Sequence, residues 1–406
     1  MSVPGEPPVS PRLAEARRFL QGRQANWASR SGAPPTDDPI AVAQRRANER
    51  ETNAVRDGAF IREGAFKYDA TDEEDRWLRT RQIIERVSPG PFEDPRYLEM
   101  LARQAASIEL ALSPPRANPG IPPEVWSRII IGTTGEPRSE AYSAVVAGTV
   151  VLAISGGMMD FMYQSAKALA LAWQAKPASD GATLSFSGRP EDTEAVLNSD
   201  PYPVRLFRDT LTSWLYRGRP TAPSSVMPPP DRQAPIQLLI NGAERFVLAH
   251  EYGHALLHHL KGAGLFSPAD SPNDSPWDKE FAADAFALMS VIESSAALDR
   301  LPPNMALQGA AMAMKTHEIF DVVFHMTSDG STTPEELATH PPFFQRIALL
   351  ERMYVELHPD PETARQDLEG MLVPSRTLDQ IWQRVRPELA EEFQVGRPLH
   401  PVWTST

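Results

Sequence analysis

The residues most able to do chemistry lie in His250-Glu251-Tyr252-Gly253-His254, inside the segment IQLLINGAERFVLAHEYGHALLHHLKGAG. Apolar residues at Leu239, Phe246, Val247, Ala255 and Leu256 have helical spacing, and Gly262 and Gly264 offer a C-terminal stop. Residues four apart on a helix lie one above the other. His250 and His254 therefore project two imidazoles from one face, a spacing that suits two ligands of one tetrahedral Zn²⁺. Glu251 is turned about 100° from His250, close enough to reach a metal-bound water without being a ligand.

Two histidines make half a site, because a hydrolytic zinc takes three protein ligands and keeps one position open. A Gly seven residues and a His ten residues after the first ligand would complete one class of site, but Leu257 and Leu260 stand there. A glutamate from a following helix is the other route. After a Pro/Ser/Asp-rich loop comes WDKEFAADAFALMSVI, a second helical pattern. Glu280 stands in it among Phe281, Ala282, Ala283 and Phe286, where a solvated glutamate would be out of place. Asp284 is one turn further along the same face, where it can accept the second ring N–H of a ligand histidine.

HEYGH (250–254), EFAAD (280–284) and THPPFFQRIALL (339–350) together resemble the gluzincin metallopeptidases. They are most similar to the M48 pattern of HExxH, ExxAD and a later HPP…RI segment. The shorter pairing also resembles the phage-exclusion and ImmA-like regulatory peptidases of bacteria. The likeness covers roughly residues 236 to 352. It implies His250, His254 and Glu280 as zinc ligands, Glu251 as general base and His340 as the imidazole that steadies the oxyanion. The implied activity is zinc-dependent endopeptidase cleavage of a protein or peptide substrate. The alternative is a metal-binding regulatory or sensing protein with little turnover. Arg346 is expected to be structural, pairing with an acidic helix.

The other histidines have plainer readings. His258 and His259 continue the stripe of the first helix too far along its axis to share the metal. His317-Glu318 begins a similar motif, but Asp321 occupies the place of its second histidine and His325 lies eight residues on. His358 and His400 sit beside prolines and read as exposed, and Met312, Met314 and Met326 as helical core positions.

All nine histidines fall at or after position 250 in a chain of 406 residues. With no cysteine there is no disulfide, no thiolate nucleophile and no Cys-ligated metal, so any metal must sit on His, Asp or Glu. The net charge of −13 argues against nucleic acid as a partner through the overall field. Residues 141–159 (AYSAVVAGTVVLAISGGMM) carry no charge. Their small residues and the closing Asp160 fit a buried strand and turn leading into a helix better than a membrane span. The N-terminus has prolines and charges where a signal peptide needs an apolar run, so the expectation is a cytoplasmic protein without a membrane partner.

Forty prolines punctuate the chain. Charged helical patterns dominate residues 1–115, a helical region of unknown role. The β-branched runs SRIIIG, AVVAGTVVLAI and ATLSFSG open residues 124–360, expected to be a zincin-like metallopeptidase domain with a small sheet. Residues 361–406 form a C-terminal helical extension. The fold class expected is α+β, mostly helical.

Overall fold

A computed structural model describes residues 10–31, 35–38, 41–43, 45–46, 70–114, 116–117, 120–136, 141–177, 184–220, 225, 227–257, 275–299, 303–327, 341–394, 396 and 398–404. His258, His259 and His340 lie outside these, as does the side chain of His325.

The fold is α+β and mostly helical. Its first part is α1 (Pro11–Ser31), α2 (Ala70–Val87), α3 (Pro95–Ala111) and the single turn α4 (Pro123–Trp126). Strands β1 (Ile129–Thr134), β2 (Ala141–Val146) and β3 (Thr149–Ser155) follow, then α5 (Gly156–Ala172). Next come β4 (Gln174–Pro177), β5 (Leu184–Ser187), α6 (Pro190–Ser199) and α7 (Tyr202–Arg217). The remainder is helical: α8 (Pro230–Leu256), α9 (Pro276–Ser294) with a π turn at Ser295–Asp299, α10 (Pro303–Thr327), α11 (Phe343–Leu357), α12 (Pro361–Met371), α13 (Val373–Gln394) and α14 (Pro401–Thr404).

β1, β3 and β2 form a three-stranded sheet in that order, with β1 and β3 parallel and β2 and β3 antiparallel. β1 and β3 are buried along their whole length, as their apolar runs rich in β-branched residues require, while β2 is a half-buried edge. The uncharged run at 141–159 is thus a β-hairpin followed by the start of α5. Ala147 (φ 51°) and Gly148 (φ 77°) make the two-residue turn, whose hand matches the strand twist. No turn separates β3 from α5, because the Ser155 hydroxyl accepts from Met158 N at 3.1 Å and caps the helix directly. The run ATLSFSG supplies β5, which pairs with β4 in a separate two-stranded sheet.

One face of the larger sheet carries α1. Its Leu20 and Trp27 press against Gly132 and Gly135, where an added Cβ would come within 2.5 and 2.3 Å of those side chains. α8 packs against the strands β2 and β3. Buried residues from α1, α2, α3, the sheet, α8, α10 and α13 belong to a single hydrophobic cluster. One stretch among the described residues, Pro276–Asp299, is long and apolar enough by length and composition to cross a membrane, and half of its most apolar window is buried inside the protein.

Glu93 locks α1 to the sheet. The carboxylate is buried and accepts hydrogen bonds from Gln24 Nε2, Thr133 Oγ1 and Thr133 N, the last at 2.8 Å. Burial pushes it up to about 7 even against those hydrogen bonds. An acid whose folded pKa lies above its unfolded one favours the fold at acid pH. That contribution declines as pH rises past the unfolded value of 4.5 and is gone above about 7. Glu93→Gln is therefore expected to gain on the order of 2–3 kcal/mol relative to wild type between pH 5 and pH 8, measured by urea denaturation at both. An equal difference at the two pH values contradicts this.

Candidate metal centre

α8 carries Pro230 in its first turn, where the missing N–H costs nothing, and runs 27 residues despite Pro235. α9 starts at a capping box: the Ser275 hydroxyl accepts from Asp278 N, and the Asp278 carboxylate accepts from Ser275 N. The two helices touch at Gly253, where a Cβ would lie 2.9 Å from the Cα of Ala283. Only a glycine allows this approach, and it brings the second turn of α9 onto the last turn of α8.

Three donors converge there. The rings of His250 and His254 stand nearly perpendicular with centroids 4.6 Å apart, and their Nε2 atoms are 3.0 Å apart. Glu280 reaches across from α9, with Oε2 3.4 Å from His250 Nε2 and Oε1 3.3 Å from His254 Nε2. One ligand atom from each lies within 4.8 Å of the others, and this is the one such group among the described residues that could hold a metal ion. Tetrahedral zinc, with bonds near 2.1 Å, spaces its ligand atoms by about 3.4 Å. Two imidazoles and a carboxylate at 3.0–3.4 Å fit that cation in both spacing and chemistry.

Behind the group, His250 Nδ1 lies 2.9 Å from Asp284 Oδ1. Asp284 is an obligate acceptor when ionised, so Nδ1 keeps its proton, and Nε2 is the nitrogen that offers a lone pair to the shared space once the ring is neutral. Arg346, from α11, grips both oxygens of Asp284, with Nη2 2.6 Å from Oδ1 and Nε 2.7 Å from Oδ2. Burial alone would raise Asp284, but the guanidinium of Arg346 holds it below the ordinary carboxylate range. Burial opposes charge on His250, yet hydrogen bonds to Asp284 and Glu280 prevail and lift its imidazole to about 9. A cation entering the site at neutral pH therefore displaces a proton.

Glu251 is buried on α8 beside the two histidines. His340 falls outside the described residues, immediately before Pro341 and six positions before Arg346. The expected pairing of Arg346 with an acidic helix is its double hydrogen bond to Asp284 on α9. His317 lies 3.8 Å from Asp321 on the surface of α10. Met312 and Met314 are buried, and Met326 packs against the core.

Spacing alone did not single out Tyr252, Glu109 and Arg245. These buried groups tie α8 to α3 and to the end of α9.

Residues 239–313 match the family model of the IrrE N-terminal-like domain, peptidase family M78. The matched span runs from α8 through the first half of α10 and includes both HEYGH and EFAAD. It supports a zinc-metallopeptidase-like relationship at that coarse level. It stops before the HPP…RI segment on which the likeness to M48 rested. Neither the curated proteins nor the solved structures gave a match to the chain.

Proposed function

We propose that this protein is a zinc-dependent endopeptidase acting on a protein or peptide substrate. One observation carries the reading: His250, His254 and Glu280 present three ligand atoms at tetrahedral spacing. His250 is held in the required tautomer by Asp284 and Arg346. His250, His254 and Glu280 would hold the ion. When bound, zinc supplies a Lewis acid that polarises a carbonyl and makes water nucleophilic at neutral pH.

The chain's own residues do the rest. Glu251 takes the proton from the attacking water and delivers it to the leaving amine nitrogen, which would otherwise depart as an unstable anion. His340 is proposed to stabilise the charge developing on the carbonyl oxygen. The half-buried strand β2 lies at the end of the sheet order and packs against α8, and an extended peptide is proposed to add along it. The acidic net charge favours a protein substrate over nucleic acid, and a cytoplasmic location is part of the proposal.

A second reading, a metal-binding regulator with little turnover, shares the same three ligands. The likeness of the HEYGH–EFAAD pair to regulatory peptidases favours it. Glu251 argues for the enzyme, since a binding module has no use for a base there. The test is elemental analysis of purified wild type beside His254→Ala and Glu280→Ala, with cleavage of a casein-type substrate. One zinc per wild-type chain, lost in both variants together with cleavage, is the expected result. Zinc without cleavage selects the regulator, and no zinc in wild type removes both readings.

A further inference from the structure

Tyr252 stands between the two histidines of α8, two residues from each, and so about 200° around the helix from the face that presents them. Its ring is wholly buried, with Trp126 edge-on at 5.7 Å. Its hydroxyl donates to Glu109 Oε1 of α3 at 3.0 Å. The Glu109 side chain is completely out of solvent and takes two guanidinium groups from α2: Arg86 Nη2 at 2.6 Å from Oε1, and Arg79 Nη2 at 2.8 Å from Oε2. Five residues before His250, Arg245 bonds Gln104 Oε1 of α3 at 3.0 Å and Asp299 Oδ2 at 2.7 Å. Asp299 closes the π turn after α9, and its other oxygen meets Arg76 Nη2 of α2 at 2.8 Å. The back of α8 is therefore gripped at two levels by the α2–α3 pair.

Stability alone does not account for such groups. Replacing a buried ionic cluster with apolar side chains of similar volume is often neutral or stabilising, because desolvation consumes the Coulomb gain. Directional bonds do provide a fixed rotation. Turning a helix by about 10° carries a ring nitrogen some 6 Å from its axis through about 1 Å, while metal–ligand distances tolerate about 0.2 Å. A bond on the face opposite the ligands is well placed to prevent that turn.

We propose that Tyr252 and Glu109 are positioning residues that set the rotation of α8, so that His250 and His254 meet Glu280. In this way the α2–α3 pair becomes part of the metal centre. The inference rests on the metal site proposed above and adds to it a support from the N-terminal helices.

The test uses the full chain as wild type, as Tyr252→Phe, and as a fully apolar exchange of the cluster (Tyr252→Phe, Glu109→Leu, Arg79→Met, Arg86→Met). Three quantities are read: the thermal midpoint without metal, zinc affinity by competition with a chromophoric chelator, and the visible absorption of the cobalt(II)-loaded protein, which reports coordination geometry. The apolar variant is expected to keep its midpoint near that of wild type, to bind zinc about tenfold more weakly and to show an altered cobalt spectrum. Tyr252→Phe is expected to change affinity and spectrum in the same direction by less, and it carries the test if the multiple variant does not fold. Wild-type affinity and spectrum in the variants overturn the positioning role while leaving the metal site standing. Absence of zinc and cobalt binding by wild type overturns the metal site and this inference with it.

Discussion

Glu251→Gln is expected to retain one zinc per chain and to cleave a casein-type substrate about 10²–10⁴-fold more slowly than wild type, the range that a positioned general acid–base contributes. Glutamine keeps the shape and a carbonyl acceptor but cannot take a proton. Glu251 is not among the three converging side chains, so metal content should not follow activity. His254→Ala and Glu280→Ala are expected to lose both together. This contrast separates a base from a ligand. Should Glu251→Gln lose its zinc, or hydrolyse at the wild-type rate, the role assigned to Glu251 is wrong.

The second large effect concerns Arg346. Asp284 is fully buried and Arg346 holds both of its oxygens. Arg346→Met removes the guanidinium that holds both oxygens of this buried carboxylate, and loss of one partner of a buried ion pair costs about 3–5 kcal/mol. The remaining carboxylate can escape by protonation, which weakens its hold on His250 Nδ1. Zinc affinity should therefore fall about 10–100-fold, as when partners of a ligand histidine are lost. Urea denaturation of the metal-free protein at pH 7 measures the first effect, and chelator competition the second. Asp284→Asn combined with Arg346→Met should be less unstable than Arg346→Met alone, because it removes the charge that was stranded. If the double variant is the less stable, the pair is not held together in this way. The pH dependence has a definite sign. Asp284 is depressed in the fold, so its contribution is present above its unfolded value of 3.8 and is lost as pH falls through the lower folded value.

Much of this was legible in the chain. The i, i+4 spacing of His250 and His254 puts two rings on one helix face wherever that helix lies, because 3.6 residues make a turn. The β-branched-rich apolar runs at 129–131 and 150–154 read as buried strands, and they are. Glu280 stood out because an acid amid Phe281, Ala282 and Ala283 has no solvent to face.

Other features were not legible, because they depend on partners distant in sequence. Nothing near Arg346 says that its guanidinium ends on Asp284, 62 positions earlier. Nothing near Tyr252 points to Glu109, 143 positions away. Gly253 reads from sequence as a weak helix residue, and only the crossing of α9 at Ala283 shows why no side chain fits there. Local periodicity decides which face of an element is apolar or ligand-bearing, since a few neighbouring residues determine it. The depth, rotation and crossing of those elements are decided by close packing and by directional bonds between remote residues, which no local pattern records. By itself, then, the sequence determined which side chains could meet a cation; the tertiary structure decided that they meet, and what holds them there.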